Sequence, residues 1–138
     1  MNRYAGLVKK PVIFLILKIA IQINMSMPSL FLLVIRCFDI EKTKLFYEII
    51  GLKFKQEKHG NGPIHYSCDL GDVIFEIYPV KPPELPTRNR LGFLVDNLTE
   101  VVLRLEHNNV ILTNLGFKNA FTAITDPDGR TVDLMQKP

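Results

Sequence analysis

The sequence has few cysteines, and their placement excludes two common kinds of small protein. The 138 residues include two cysteines, Cys37 and Cys68, and neither belongs to a CxxC pair or to a cluster of cysteine and histidine. This pattern argues against a disulfide scaffold and against a structural zinc site. Each cysteine lies in an apolar stretch with strand character, where buried free thiols are common. A reducing compartment such as the cytoplasm suits this chain.

Several motifs of nucleotide and acyl chemistry are also absent. The sequence contains no nucleophile elbow, P-loop or dinucleotide-binding fingerprint. The segment GNG at residues 60–62 lacks both a third glycine and a following helix, so it does not predict a phosphate-binding loop.

Acidic residues are missing from residues 1–27, whereas the rest of the chain is nearly neutral. The first segment carries four basic residues, Arg3, Lys9, Lys10 and Lys18. Residues 28–138 hold the other 13 basic and all 14 acidic side chains, so the net charge of +3 comes from the first segment. A body this close to neutral lacks the basic patch of a nucleic-acid-binding protein, and we expect no nucleic-acid partner.

The length predicts one domain, over residues 28–138, preceded by an extension. The apolar run Val12–Ile23 follows two lysines but is interrupted by Lys18, and no signal-peptide cleavage site follows it. Twelve residues are too few to span a bilayer core of about 30 Å. Three interpretations stay open: translation upstream of a true start at Met25 or Met27, an interfacial membrane anchor, or an extra packing element. We favour the first, and expect membrane contact only if the extension is native.

From Ser29 onward, one order of elements occurs twice: a strand, a helix and three further strands. The proline-rich segment 81–87 separates the two copies, because prolines remove backbone donors that a sheet needs. The predicted elements of the first copy are strands 31–37, 53–57, 64–68 and 73–78, with a helix from Ile40 to Ile50. Those of the second copy are strands 91–95, 110–113, 120–125 and 131–136, with a helix over 98–107.

An offset of 58 residues aligns the cap positions of the two helices. It places the N-cap Asp39 on Asn97 and the residue Gly51, which tolerates a positive φ, on Asn109. Chance is the alternative explanation, but matching caps in a matching order of elements favour a duplication. The fold class predicted is therefore α+β, with two βαβββ modules.

Two motifs at the ends of this region resemble those of a known superfamily. Residues 36–43 (RCFDIEKT), with FYE at 46–48 and GL at 51–52, resemble the opening of vicinal-oxygen-chelate domains, the group of glyoxalases, bleomycin-resistance proteins and extradiol dioxygenases. Residues 126–134 (DPDGRTVDL) resemble their closing hairpin. The resemblance covers residues 28–138, and it implies two βαβββ modules whose sheets curl around a cavity. It also implies a homodimer, because related proteins complete their cavities across two chains.

The resemblance further implies four positions for a divalent metal ion, which fall on Leu32, Glu76, Arg90 and Asp133. Leucine cannot bind a metal, and the fixed charge of Arg90 repels a cation. We therefore expect no metal there, with an ion pair of Arg90 to Glu76 or Asp133 instead. A divalent metal held by Glu76 and Asp133 is the less favoured alternative.

Strand alternation predicts a ligand-binding face with a mixed lining. The candidates for binding a small oxygenated molecule are Arg36, Tyr66, Tyr78, Arg90 and Asp133. We assign catalytic roles, if the chain is an enzyme, to His65 and Glu76.

His59 and His65 flank a tight turn, and two interpretations of them stay open. They could face each other on paired strands, or they could be structural or exposed, which is the favoured interpretation because six residues is not a standard metal spacing.

Two classes of function remain. The first is a binding protein, like the bleomycin-resistance branch, that uses its cavity without a metal. The second is a metal-dependent lyase, isomerase or dioxygenase with an atypical metal site. The missing histidines favour the first class, while a fold alone decides little between them.

Overall fold

The structure is a computed structural model that describes residues 10–23, 26–116 and 121–138, with side chains for 11–19, 26–113 and 121–138. It begins with helix α1 (Lys10–Ile23). Every α1 side chain from residue 11 to residue 19 is exposed, including Phe14 at 63% and Leu15 at 58%. No helix in the described part of the chain is long and apolar enough to cross a membrane. Met25, one of the proposed starts, lies outside the described residues.

The first module contains one helix and four strands. They are β1 (Leu32–Cys37), α2 (Ile40–Ile49), β2 (Lys55–Glu57), β3 (His65–Asp69) and β4 (Ile74–Pro79). Helix α2 begins where predicted, because the Asp39 carboxylate accepts a hydrogen bond from the backbone N–H of Lys42 at 2.9 Å. It ends at Gly51, whose φ of +106° suits a residue without a Cβ.

The second module repeats this order. Its elements are β5 (Leu91–Val95), α3 (Leu98–His107), β6 (Leu112–Gly116), β7 (Phe121–Thr125) and β8 (Thr131–Gln136). Asn97 caps α3 by accepting from the backbone N–H of Glu100 at 3.0 Å. The predicted β5, α3 and β8 have the observed bounds. The strand predicted at 110–113 is wrong at both ends, and Ala120, the predicted start of β7, lies outside the described residues.

Each module forms its own four-stranded mixed sheet, and the registers of the two sheets correspond. The strand orders are β1-β4-β3-β2 and β5-β8-β7-β6. In the first sheet, Val34 lies opposite Glu76 on the parallel pair β1 and β4. In the second, Gly92 lies opposite Asp133 on the parallel pair β5 and β8. The offsets of 58 and 57 residues between these pairs confirm the βαβββ repeat and the α+β class.

Helices α2 and α3 and one face of each sheet share a single hydrophobic core. Tyr47 of α2 lies at its centre, fully buried, with its ring 5.4 Å from that of Phe75 and 5.9 Å from that of Phe93. Phe75 belongs to the first sheet and Phe93 to the second, so the core is continuous between the modules. Leu45 of α2 is 58% exposed, because residues 43, 46, 47 and 50 take the inward positions.

A buried polar network also joins the two modules. The Arg130 side chain is fully buried and pairs with the equally buried Asp126, which also accepts a hydrogen bond from the Tyr47 hydroxyl at 2.9 Å. Arg130 donates to the carbonyl oxygens of Thr87, at 2.8 Å, and of Arg36. Burial lowers the pKa of Arg130, but the hydrogen bonds and the charge of Asp126 outweigh it and raise that pKa. The motif DPDG is therefore more than a turn, since it carries the counter-ion of a buried arginine.

Candidate functional site

The face of the first sheet turned away from the helices carries most of the predicted site residues. Alternate residues of each strand point to opposite faces. Ile35 and Ile77 are fully buried on the helix face, so their neighbours Arg36, Glu76 and Tyr78 lie on the other, which we call the open face. His65 lies there too, since it follows the same alternation on β3.

Four potential metal ligands meet on this open face. Glu57 ends β2 directly opposite His65 of β3, and Glu76 lies on β4, at the other side of β3. His59 returns to the same place from the turn between β2 and β3. One ligand atom from each of Glu57, His59, His65 and Glu76 lies within 4.8 Å of every other. We call these four residues the His–Glu cluster.

His65 is the most enclosed member of the cluster, with 1% of its surface exposed. Its Nδ1 lies 3.2 Å from the carbonyl oxygen of Pro63, and its Nε2 is buried without a hydrogen-bond partner. The carboxylate oxygen that pairs with this Nε2 is Oε2 of Glu57, at 3.8 Å. This separation is too long for a hydrogen bond.

A stack of three side chains continues from the cluster along the open face. The Tyr78 ring lies 4.1 Å from the His65 ring and nearly parallel to it, at 12°. The Arg36 guanidinium also lies over the Tyr78 ring, with its central carbon 5.4 Å from the ring centroid. Burial raises the pKa of the Tyr78 hydroxyl, and the charge of Glu76 raises it further. Tyr78 therefore stays a hydrogen-bond donor at neutral pH.

Tyr66 is not part of this face, and its predicted role in the cavity is wrong. Because it is adjacent to His65 in the same strand, its side chain points to the helices. Its hydroxyl donates to the Glu41 carboxylate of α2, and this hydrogen bond raises the pKa of Tyr66. The residue therefore anchors α2 to the first sheet.

The second module places an ion pair where the resemblance implies a metal. Arg90 donates from Nε and Nη2 to the two carboxylate oxygens of Asp133, at 2.6 and 3.0 Å. The bond to Asp133 raises the pKa of Arg90. Of the two partners predicted for Arg90, Asp133 is correct and Glu76 is wrong.

The four positions implied by the resemblance therefore do not fit a metal ion. Both oxygens of Asp133 are held by Arg90, and Leu32 offers no ligand atom. Glu76 lies on the first sheet, beside Glu57, His59 and His65.

The two open faces expose apolar side chains instead of enclosing a cavity within one chain. Leu32 is 36% exposed, Ile74 44%, Met135 46% and Leu94 57%. A cleft of about 430 Å³ does open between the end of α2 and the start of α3, but neither Glu76 nor Asp133 lines it. Apart from Tyr66, the predicted site residues therefore lie on the open faces, where these apolar side chains are exposed in the described part of the chain.

Sequence reasoning missed Glu57. It left two interpretations open for His59, which lies beside His65 with 71% of its side chain exposed. The signal for both was the register of a hairpin. Once β2 and β3 pair, Glu57 must lie opposite His65, and a turn with Gly60 at a φ of +54° brings His59 back beside them.

Comparison with known proteins agrees with this architecture. No protein-family model matches the chain, and no curated protein matches it. Among solved structures, TnmS3, an antibiotic-binding protein from Streptomyces sp. CB03234, aligns with 83% of this chain and 100% of its own, at a TM-score of 0.63 and 20% identity. The oxidase ChaP-H2 aligns with 82% of this chain and 96% of its own, at a TM-score of 0.65 and 14% identity.

A glyoxalase is among these structural neighbours too. The trypanothione-dependent glyoxalase I of Leishmania major aligns with 80% of this chain and 87% of its own, at a TM-score of 0.60 and 15% identity. A binding protein, an oxidase and a glyoxalase thus share one architecture, so the likeness does not separate binding from catalysis. The chain has the glyoxalase/bleomycin-resistance fold.

Proposed function

We propose that the chain is a binding protein that takes up a small oxygenated molecule on its open face without a metal at the positions that the resemblance implies. The observation that supports this most directly is the two-pronged ion pair of Arg90 and Asp133. The ion pair occupies the Asp133 carboxylate, which a metal ion at these positions would need, and it places a polar patch there instead.

The chemistry of the first sheet suggests the class of ligand. Tyr78 is partly exposed, and its ring stacks on the buried His65 and lies near the Arg36 guanidinium, so the face offers an aromatic side chain and a cation to planar groups. Guanidinium and phenol groups donate hydrogen bonds to carbonyl, carboxylate or phenolate oxygens. Glu76 lies beside the stack as an acceptor or base. A partly aromatic, oxygen-rich molecule matches these groups.

We propose that a second copy of the chain covers the two open faces. The exposed apolar residues of both sheets lie on the faces that carry Glu76 and Asp133. Covering them with the matching face of a partner removes apolar area from water and encloses the stack.

The free, buried state of Cys37 and Cys68 further supports a reducing compartment, the cytoplasm, as the place of action.

Three probes test the function: bleomycin, the hemithioacetal of methylglyoxal with glutathione, and 2,3-dihydroxybiphenyl. Calorimetry of the full chain measures binding, and absorbance measures product. We expect saturable binding of at least one probe without turnover, weakened at least about tenfold by Arg36→Ala or Tyr78→Ala. Arg104→Ala, at an exposed arginine of α3, is the control and keeps full affinity. If no probe saturates the protein, the proposal fails for these ligand classes.

A metal-dependent lyase, isomerase or dioxygenase is the second candidate. The His–Glu cluster favours it, since imidazoles and carboxylates together are the ligands of many catalytic metal sites. Product formation from any of the three probes would select this function over simple binding.

A further inference from the structure

We infer that the His–Glu cluster is a binding site for one divalent transition-metal ion, with Zn²⁺ as the best match. It lies within the first module, on β2, β3, β4 and the turn between β2 and β3. Of the four positions that the resemblance implied, the cluster shares only Glu76. The inference is independent of the proposed function, because metal binding needs no small molecule.

Two separations in the cluster are close to those between ligands of one metal ion. Nε2 of His59 lies 3.6 Å from Oε2 of Glu57, and Nε2 of His65 lies 3.8 Å from the same oxygen. Two ligands at about 2.1 Å from a tetrahedral zinc ion are about 3.4 Å apart. A direct N–H···O hydrogen bond would instead bring them to about 2.9 Å. The observed separations therefore suit atoms that share a cation better than atoms that bond to each other.

The state of His65 provides an independent reason. Its Nδ1 donates to the carbonyl oxygen of Pro63, which leaves the lone pair on Nε2. That Nε2 is buried, has no hydrogen-bond partner and points at the carboxylates of the cluster. Buried polar atoms without partners are costly, and a lone pair aimed at a carboxylate is repulsive unless a cation lies between them. Tyr78 stacks on the ring and fixes its orientation.

The charges match a divalent ion. Imidazoles bind a metal ion in their neutral form and carboxylates in their ionised form, so these four ligands would bring two negative charges to the ion. A divalent cation makes the total zero and removes the repulsion between the carboxylates. Imidazole nitrogen favours zinc, cobalt and nickel over magnesium and calcium. His59, with 71% of its side chain exposed, is the ligand at the entrance, where exchange with solvent is easiest.

The test uses the full, untagged chain after removal of metals with a chelator. Calorimetry measures the affinity for Zn²⁺ and for Mg²⁺, and visible absorption follows titration with Co²⁺. We expect one Zn²⁺ per chain, no binding of Mg²⁺, and a cobalt absorption of a four- or five-coordinate site. Glu57→Gln and His59→Ala, both at residues with exposed surface, each weaken Zn²⁺ binding at least about tenfold. His107→Ala and Glu84→Gln, at exposed positions outside the cluster, leave it unchanged.

Circular dichroism of each variant shows that it is folded, which matters most for His65→Ala because His65 is buried. Less than one zinc ion per chain would overturn the inference. Equal affinity in the wild type and in the Glu57→Gln, His59→Ala double variant would overturn it too, since the zinc would then lie elsewhere. Either result would leave the binding of oxygenated molecules to be judged by its own titrations.

Discussion

Replacing Arg130 with methionine should destabilise the protein far more than the same replacement at Arg90. Both arginines pair with an aspartate in the second module. The side chains of Arg130 and Asp126 are 0% exposed, whereas those of Arg90 and Asp133 are 66% and 21% exposed. The two variants therefore compare the same chemistry at two degrees of burial.

The structure sets the expected size of each effect. Breaking a buried ion pair by removing one partner costs about 3 to 5 kcal/mol. Asp126 keeps the Tyr47 hydroxyl and two backbone N–H groups as donors, which moves the estimate for Arg130→Met to the lower half of that range, about 3 to 4 kcal/mol. For Arg90→Met we expect a much smaller loss, because solvent screens an exposed pair.

Urea denaturation followed by circular dichroism measures both changes in the free energy of unfolding. Arg130→Lys should recover little of the loss, because one ammonium group cannot reach the carbonyls of Thr87 and Arg36 together with Asp126. Equal losses for Arg130→Met and Arg90→Met would refute the argument that burial decides the cost.

Three further predictions concern other parts of the chain. Tyr66→Phe should lower the free energy of unfolding by about 1 kcal/mol, through loss of the bond to Glu41; an unchanged urea midpoint would contradict that bond. Burial raises the pKa of the Cys37 thiol from 9.0 to about 11, so the folded state holds this proton more tightly than the unfolded state. Stability should therefore fall as pH rises from 9 to 11, and fall less in Cys37→Ala; identical slopes would exclude the thiol as a cause. Deleting residues 1–26 should leave the thermal midpoint unchanged, because the described α1 side chains are exposed; a clear drop would show that the extension packs on the domain.

Local signals in the sequence predicted most of the fold. Helix α3 has the predicted bounds because Asn97 offers a capping oxygen and Asn109 tolerates a φ of 56°. The module order followed from the spacing of apolar runs, and the motif at 126–134 fell on the expected hairpin. Caps, turns and alternation act over a few residues, so one sequence is enough to see them.

Contacts between distant residues accounted for the errors. Tyr66 was grouped with its neighbour His65 although adjacent strand residues face opposite ways. The partner of Arg90 was one of two carboxylates that lie on different strands, and sequence could not choose between them. Glu57 entered no prediction, because its proximity to Glu76 depends on two strand pairings at once.

The buried guanidinium has a consequence for how the two halves of the chain behave. It extends from the second half, while two of the oxygen atoms that bind it come from residues 36 and 87, in the first half and the connecting segment. Pulling the halves apart would remove these two acceptors and leave part of the guanidinium without hydrogen-bond partners. Each half therefore completes the other, and we expect them to melt in one cooperative step.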